Sequence, residues 1–332
     1  MPELPTTEIA APLYRPYAFG EPVSERFRDP AGYQADDDLD AAVRVALLLG
    51  MPLLLTGEPG CGKTSVAGWL ARRLGLGEPL VFNVKSTTAG RDLLYEFDEL
   101  ARFRDSQAGQ GRPVTDYLRL NPLGLAILLS TSPHDRLGYH PVSHEALAQR
   151  STMTVMPDTF GQRHVVLIDE LDKAPRDTPN DLLLEILEMK FLVREADAWI
   201  TGNPALRPVV IITSNSEKSL PEPFLRRCVF HHIKAPDDAM RRRIVVGRMH
   251  PFAARSQAFD WAMRLFDRLS GNLGRPPGTA ELLAWLTVLE ERARTLPLAR
   301  PAELAAGTLG ALAKTREDLD RALAALADAD AP

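Results

Sequence analysis

The sequence feature that most limits the fold is the stretch LLLTGEPGCGKTS at residues 53–65, where apolar residues run directly into a glycine-rich loop. Residues 57–64 have the spacing G-x-x-x-x-G-K-T. The apolar run before the loop predicts a buried strand, and residues 64–74 have the apolar spacing of a helix. A glycine-rich loop between a strand and a helix turns backbone N–H groups inward around phosphate oxygens. The stretch therefore predicts a phosphate-binding loop in an α/β protein.

Two side chains of this loop have expected roles beyond backbone binding. Lys63 should reach the β- and γ-phosphates of a nucleotide, and the Thr64 hydroxyl should hold Mg²⁺. Cys61 stands at a variable position, where a small residue that fits is favoured over a redox role, although a helix N-terminus lowers the pKa of a thiol. The expected nucleotide-binding residues of the loop are Gly57, Glu58, Pro59, Gly60, Cys61, Gly62, Lys63, Thr64 and Ser65.

A pair of carboxylates follows a second apolar run, in the segment VVLIDELDKAP. Asp169 fits the acid that holds Mg²⁺ beside a phosphate loop. Glu170 can take a proton from an attacking water, which favours hydrolysis over transfer to another acceptor. Asp172 and Lys173, which come next, are given no role by the pattern.

Further apolar runs predict the rest of a parallel sheet. The segments EPLVFNVK, PVVIITSN and FHHIKA read as buried strands, and residues 91–103 read as a helix. Residues 190–207 read as a β-hairpin with its turn near Gly202 and Asn203. From residue 237 onward only helical periods occur. We therefore expect an N-terminal arm at 1–31, an α/β core at 32–236 and an all-helical domain at 237–332.

Composition excludes several classes of protein. The chain has 332 residues, of which 45% are hydrophobic and 25% charged, as in ordinary globular proteins. The net charge of −5 argues against tight nonspecific nucleic-acid binding. Cys61 and Cys228 make no disulfide framework, and no apolar run approaches the roughly 20 residues of a bilayer span. The first residues lack the pattern of a secretion signal, so a cytoplasmic protein without membrane contact is expected.

Polar residues after the fourth predicted strand complete a catalytic set. Asn215 lies just past this strand, where its amide can orient a water. The segment LPEPFLRR downstream predicts a short helix that ends in Arg226 and Arg227. An arginine finger stabilises charge on a transferring phosphoryl group and can contribute about 10³ to 10⁵ in rate.

The order of these motifs resembles that of AAA+ ATPases, and most closely the MoxR-type branch. The resemblance covers about residues 30–325 and includes the segments GYQADDDLDAAVRVALLLGMPLLLTGEPGCGKT, YLRLNPLGLAI, KFLVREADAWITGNPALRPVVIITSN and GALAKTREDLDRAL. It implies a P-loop NTPase fold, with a three-layer αβα parallel sheet followed by an all-α lid domain. It also implies ATP and Mg²⁺ as cofactors.

The resemblance assigns further site residues. It makes Asn215 the sensor-1 residue and Arg227 the finger that acts on a neighbouring subunit's nucleotide, with Arg226 as the runner-up. It places Tyr33 and Gln34 against the adenine. Glycine stands where many family members have the sensor-2 arginine, in the segment GRPPGT at 274–279, so either Arg275 substitutes or sensor 2 is absent.

Three inserts in the core are expected to face partners. The family resemblance places an insert at about 104–121 and the hairpin at 191–207 near the pore of a ring. Residues 132–163 form a long irregular segment, which suggests a partner-binding or pore-facing loop. A zinc site is disfavoured there because cysteines are absent and the spacing is irregular. The histidines in question are His134, His140 and His144, with His164 directly after the segment.

The favoured function is therefore a ring ATPase, hexameric by resemblance, that remodels or activates a protein client or a von Willebrand A-type partner. A nucleic-acid motor or loader is the first alternative, with the run at 241–243 as its only dense basic segment. An ATP-dependent regulatory switch in defence or signalling is another. A small-molecule kinase is disfavoured by Glu170 and by the helical C-terminal domain.

Overall fold

The computed structural model describes residues 30–153, 157–176, 178–215, 219–249, 256–295 and 301–327. Its centre is a parallel sheet of five strands in the order β2-β5-β8-β1-β9. Parallel strands buried on both faces need continuous apolar runs, which is the pattern of these segments. The five strands are β1 (Leu53–Gly57), β2 (Leu80–Asn83), β5 (Val165–Asp169), β8 (Val209–Ser214) and β9 (Val229–Ile233).

Helices cover both faces of the sheet. After β9, the described elements are all helices. Those of the α/β region are α1 (Asp37–Leu49), α2 (Ser65–Arg73), α3 (Glu99–Gln107), α4 (Pro122–Leu129), α5 (His144–Ala148), α6 (Thr178–Glu188) and α7 (Glu222–Leu225). Those after the sheet are α8 (Asp238–Arg248), α9 (Ser256–Asn272), α10 (Thr279–Thr295), α11 (Pro301–Ala306) and α12 (Arg316–Ala327).

Alternation along the strands divides the core into two layers. Leu53 and Leu55 of β1 pack in a cluster with α1 and α2, whereas Leu54 belongs to a second cluster that includes most residues of α4. Successive side chains of a strand point to opposite faces, so one sheet can bury apolar residues on both sides. The result is the predicted three-layer α/β/α arrangement.

The C-terminal helices have a core of their own. Apolar residues from Val245 to Leu326 form one buried cluster, separate from the two clusters of the sheet. Trp285 is fully buried in it, and its indole N–H donates to the Thr308 hydroxyl at 2.9 Å. A buried indole usually needs such a partner, because an unsatisfied N–H costs free energy. This region is all-helical throughout its described residues, as the sequence predicts.

The helix predicted at residues 91–103 is wrong in its first half. Residues 90–93 form a 3-10 turn, and Tyr95–Phe97 is a short strand, β3, that pairs antiparallel with β4 (Leu118–Leu120). Only the segment from Glu99 onward is helical, and Asp98 caps it by accepting from the Ala101 N–H. Pairing between distant segments has overridden the local helical spacing.

The hairpin turn is also misplaced in the sequence prediction. Strands β6 (Lys190–Val193) and β7 (Ala198–Thr201) are joined by residues 194–197, not near Gly202 and Asn203. Asp197 has a left-handed backbone with φ 47°, and Glu195 accepts hydrogen bonds from Arg91 and Tyr95. The N–H of Gly202 instead donates to the Met189 carbonyl, at the open end of the hairpin.

Candidate active site

The candidate site lies where three neighbouring strands end. Strand β8 separates β1 from β5, and all three run parallel. Their carboxyl ends therefore meet at one edge of the sheet, which is where open α/β sheets bind ligands. The phosphate loop follows β1, Asp169 ends β5 and Glu170 comes directly after it, and Asn215 follows β8.

The phosphate loop has the backbone that its glycines permit. Gly57, Gly60 and Gly62 have φ values of 149°, 80° and 95°. A Cβ built on Gly57 would lie 2.6 Å from the Ile233 carbonyl oxygen, so no larger residue fits there. This loop leads straight into α2, whose N-terminal end favours an anion.

Lys63 is held across the loop and is only 7% exposed. Its ammonium donates to the carbonyl oxygens of Gly57 at 2.9 Å and Glu58 at 3.0 Å. An ammonium has three N–H donors, so these two bonds leave one for a further acceptor. The fold thus fixes the cation inside the loop that is expected to surround the phosphates.

The two expected Mg²⁺ ligands touch each other. The Thr64 hydroxyl donates to the Asp169 carboxylate, at 3.1 Å from Oδ1 and 3.2 Å from Oδ2. These residues are 105 positions apart in the chain, and only the parallel packing of β1 and β5 about β8 joins them. Hydroxyl and carboxylate oxygens are the ligands that Mg²⁺ takes beside nucleotide phosphates. The donor set therefore fits this metal.

Thr213 is a site residue that the sequence analysis did not single out. Its fully buried hydroxyl donates to Asp169 Oδ1 at 2.6 Å and accepts from the Glu170 N–H at 2.8 Å. Glu170 has a left-handed backbone, with φ 59° and ψ 49°, a conformation that costs about 1–3 kcal/mol for a non-glycine residue. The hydroxyl thus stabilises both acids. A polar residue inside an otherwise apolar strand is the signal that points to it.

Two donors hold the side chain of Glu170. The Asn215 amide nitrogen donates to Oε1 at 3.0 Å, and the Lys173 ammonium donates to Oε2. The predicted base and the predicted water-orienting amide are therefore in direct contact. The contact between Lys173 and Glu170 is one that the sequence did not predict.

A cavity of about 500 Å³ opens beside the phosphate loop, a size suited to a nucleoside. Both predicted adenine contacts, Tyr33 and Gln34, line it together with Cys61, Gly62 and the end of β9. Burial raises the pKa of Tyr33, so its hydroxyl stays a hydrogen-bond donor. His231 also lines the cavity, and within the described residues its buried Nε2 finds no hydrogen-bond partner. Burial lowers the pKa of His231, which favours a neutral ring.

Residues 53–236 match the family described as the ATPase family associated with various cellular activities, or AAA. The chain belongs to the AAA family. The matched segment includes the phosphate loop, both acids, Asn215 and the helix with Arg226 and Arg227. ATPase activity is general in this family.

Comparison with solved structures gives two similar chains from Thermotoga maritima. The RuvB Holliday junction branch migration motor is 15% identical, with a TM-score of 0.42, and the match covers 82% of this chain and 66% of that one. A threonine-to-valine variant of RuvB is 16% identical, with a TM-score of 0.42 and coverages of 86% and 72%. Among curated proteins, none matches. Within the described residues, no helix is both long and apolar enough to cross a membrane.

The structure does not bring Arg275 to the cavity of this AAA protein. Its side chain is exposed and is not among the cavity-lining residues, whereas Thr279 and Ala280 at the start of α10 are. A Cβ built on Gly60 would lie 3.7 Å from the Ala280 Cβ. The start of α10 therefore approaches the phosphate loop with small side chains and with Glu281, which accepts from the Gly278 N–H.

The two arginines after α7 differ in their partners. Both are exposed, but the Arg226 guanidinium pairs with Glu222 at 2.9 Å. Arg227 makes no ion pair with any part of the chain that the structure describes. Neither arginine lines the cavity of its own chain.

His140 and His144 of the long segment, and His164 directly after it, have structural contacts. His140 Nε2 lies 2.8 Å from the Ala196 carbonyl oxygen, His144 Nδ1 lies 2.8 Å from the Thr131 hydroxyl, and His164 Nε2 lies 3.0 Å from the Thr159 carbonyl oxygen. Burial lowers the pKa of both His144 and His164. Across the described residues, no group of histidine, cysteine and acidic side chains has a metal-binding arrangement.

Cys61 has the environment of a packed thiol. Burial raises its pKa, and this outweighs the opposing effect of Lys63. The thiol lies close to Gly57, where a built Cβ would be 2.9 Å from its Sγ. A raised pKa disfavours the reactive thiolate.

Proposed function

We propose that the protein hydrolyses Mg²⁺-ATP at the edge where β1, β5 and β8 end. One observation carries the proposal: hydrogen bonds join Thr64, Asp169, Thr213, Glu170 and Asn215 into one connected set beside Lys63. This set contains the parts that phosphoryl transfer to water requires, namely a metal ligand pair, a base and a water-orienting amide.

In this proposal each residue has one task. Thr64 and Asp169 hold Mg²⁺, which neutralises charge on the phosphates when it is bound. Lys63 binds the phosphate oxygens, and Asn215 orients the attacking water. Glu170 takes the proton from that water, with the carboxylate aimed by its bonds to neighbouring side chains. Tyr33 and Gln34 lie in the cavity that receives the adenosine.

Water as the acceptor is favoured over a small molecule. Glu170 lies directly after the metal-binding acid and is in contact with Asn215, so both water-handling groups are together. A kinase gains nothing from a base that activates water. The proposed reaction is therefore conversion of ATP and water to ADP and phosphate.

We further propose that the active form is a ring, hexameric as in the MoxR-type branch, in which Arg227 reaches a neighbour's nucleotide. Its support is the contrast between Arg226, which pairs with Glu222, and Arg227, which does not. An exposed guanidinium that has no ion pair among the described residues is available to a phosphoryl group across an interface.

The proposed work of the ring is to remodel or activate a protein client, with a von Willebrand A-type protein as the partner suggested by the MoxR resemblance. The hairpin expected at the pore exposes a large apolar side chain, because Trp199 on β7 is 55% exposed. Leu100 and Phe103 on α3, just before the insert expected at about 104–121, are exposed as well. Exposed apolar groups of this kind suit contact with protein segments.

A nucleic-acid motor is the less favoured alternative, because the basic run is neutralised by neighbours. Arg241 pairs with Asp267 and Arg242 pairs with Asp260, each at 2.7 Å. Cations that already face carboxylates release fewer counterions from a phosphate backbone. Steep stimulation of the ATPase by duplex DNA, lost at high salt, would favour this alternative.

The test measures phosphate release and assembly in the same preparations. Wild type should release phosphate from ATP, and Lys63→Ala should not bind ATP. Glu170→Gln should bind ATP without turning it over and should assemble into a ring by light scattering. A protein that stays monomeric with ATP in the Glu170→Gln form would contradict the ring, and absent phosphate release by assembled wild type would contradict the ATPase. A pull-down with Glu170→Gln then identifies the client.

A further inference from the structure

The 3-10 turn at Leu171–Lys173 touches both water-handling residues of the proposed site. It follows Glu170 directly and precedes the loop to α6. Family membership alone gives Asp172 and Lys173 no task, yet both point back to the site. Their contacts explain how the side chains of the site keep their places.

Lys173 is the second side-chain donor to the Glu170 carboxylate. Its ammonium donates to Oε2, while the Asn215 amide donates to Oε1 at 3.0 Å. Both oxygens of the base are therefore restrained. An ionised carboxylate has about four lone-pair positions, so two donors leave room for the proton of a water. Restraint by Lys173 is thus compatible with Glu170 acting as a base.

Asp172 holds Asn215, the residue proposed to orient the water. It is only 2% exposed, and its Oδ1 accepts from the backbone N–H of Asn215 at 3.3 Å. A single turn therefore contacts the backbone of the water-orienting residue and the side chain of the base. The amide and the carboxylate are held relative to each other by consecutive residues of one turn.

We propose that Lys173 is a positioning residue for Glu170, holding the carboxylate in the orientation from which it receives the proton of the attacking water. The inference rests on the proposed ATPase function. Without the ammonium, the Glu170 side chain has one restraint instead of two and samples more rotamers. Misplacement of a base lowers the rate of the chemical step more than it lowers substrate binding.

The test compares Lys173→Met with Lys173→Arg at saturating ATP. Because the pair is about two-fifths exposed, solvent weakens it, and we expect Lys173→Met to lower kcat about tenfold. ATP affinity should stay within about twofold, since Lys173 is not among the phosphate-loop or cavity residues. Lys173→Arg should restore most of kcat. Lys190→Met is the matched control, because Lys190 forms a similarly exposed pair with Glu188.

Three outcomes would overturn the inference. An unchanged kcat in Lys173→Met would remove the positioning role, and a raised kcat would mean that the ammonium restrains the base from acting. Equal loss in Lys173→Met and Lys173→Arg, with reduced ATP affinity in both, would indicate a general structural defect instead.

A readout that needs no ATPase keeps the inference separate from the proposed function. In a double-mutant cycle on unfolding, Glu170→Gln and Lys173→Met should be non-additive, because each change removes the same ion pair. Wild type without phosphate release but with this coupling would contradict the proposed function alone. Additive effects on unfolding would overturn the pair itself, whatever the ATPase does.

Discussion

Two parts of the α/β region differ in how far their polar side chains are paired within the chain. One is the strand edge, where β1, β5 and β8 end, and the other is the arginine helix, by which we mean α7 with Arg226 and Arg227 directly after it. At the strand edge, hydrogen bonds within one chain connect Thr64, Asp169 and Glu170 through the buried Thr213 hydroxyl. After α7, Arg226 is paired locally and Arg227 is exposed. In the first region, the residues proposed to hold a metal and a water are joined to one another within a single chain. In the second, the Arg227 guanidinium has no ion pair among the residues that the structure describes.

The largest effect is expected for Arg227→Ala, which tests whether the arginine helix acts on a neighbouring subunit. If Arg227 stabilises the transition state on a neighbour's nucleotide, its loss should lower kcat by about 10³-fold or more. ATP binding should remain, because Arg227 does not line the cavity of its own chain. Phosphate release and nucleotide titration measure the two effects separately.

Arg226→Ala is the matched control for this prediction, because Arg226 is already paired with Glu222. It should keep most of the activity. Mixing Arg227→Ala with Lys63→Ala should restore some activity, since a subunit with an intact finger then meets one with an intact phosphate loop. Full activity of Arg227→Ala alone would refute the finger assignment, and a large loss in Arg226→Ala only would transfer the role to Arg226.

The second prediction concerns the strand edge. Glu170→Gln removes the acceptor for the water proton and should lower kcat by about 10²- to 10⁴-fold. The amide keeps the shape of the side chain, so ATP binding should persist and the oligomer should be stabilised. Phosphate release and light scattering with ATP check these effects.

Glu188→Gln is the control, because Glu188 is an exposed carboxylate that pairs with Lys190 at the end of α6. It should leave kcat nearly unchanged. Near-normal turnover by Glu170→Gln would assign the base to another residue. The strand edge, like the arginine helix, would then lack a group that the reaction needs.

The strand edge was predictable because local patterns set it. Asp169, Glu170 and Asn215 lie at the ends of apolar runs, and Lys63 and Thr64 belong to the glycine-rich loop that follows another. Parallel strands bring their carboxyl ends to one edge. Motifs alone therefore single out Lys63, Thr64, Asp169, Glu170 and Asn215 as one candidate site. The five-stranded sheet and the helical C-terminal region followed from the same periodicities.

Features that depend on distant partners were not predictable in the same way. Residues 95–97 form a strand because residues 118–120 offer an edge to pair with, and no local spacing reveals this. The hairpin turn is held by contacts of Glu195 with Arg91 and Tyr95, about 100 residues earlier in the chain. A polar residue in the apolar run of β8 draws attention to Thr213, but its task depends on Asp169 and Glu170 at the end of the neighbouring strand β5, which local spacing does not reveal.

The third prediction tests the residue that connects the two acids. Thr213→Val removes a donor to Asp169 and leaves the N–H of Glu170 without its acceptor. A buried group left unsatisfied costs about 1–3 kcal/mol, so the melting temperature should fall by several degrees. Activity should fall about tenfold, because the left-handed backbone of Glu170 loses its support. Calorimetry and phosphate release measure these changes.

Thr213→Ser keeps the hydroxyl and should retain most of the activity and stability. If Thr213→Val and Thr213→Ser behave alike, the methyl group rather than the hydroxyl matters, and the two acids are held by other contacts. Loss of melting temperature without loss of kcat would make Thr213 a stability residue only.

We expect the smallest effect at Arg275. It tests whether the C-terminal helices bring a positive charge to the nucleotide at the strand edge. The side chain is exposed and outside the cavity, whereas Thr279 and Ala280 face it, so Arg275→Ala should change kcat and ATP affinity by no more than about twofold. Arg268→Ala, an exposed arginine on α9, provides the background for such a change. A loss above tenfold in Arg275→Ala alone would mean that the helices move on ATP binding and bring this guanidinium to the phosphates. Arg227 would then share the charge of the transition state with an arginine from the chain that binds the nucleotide.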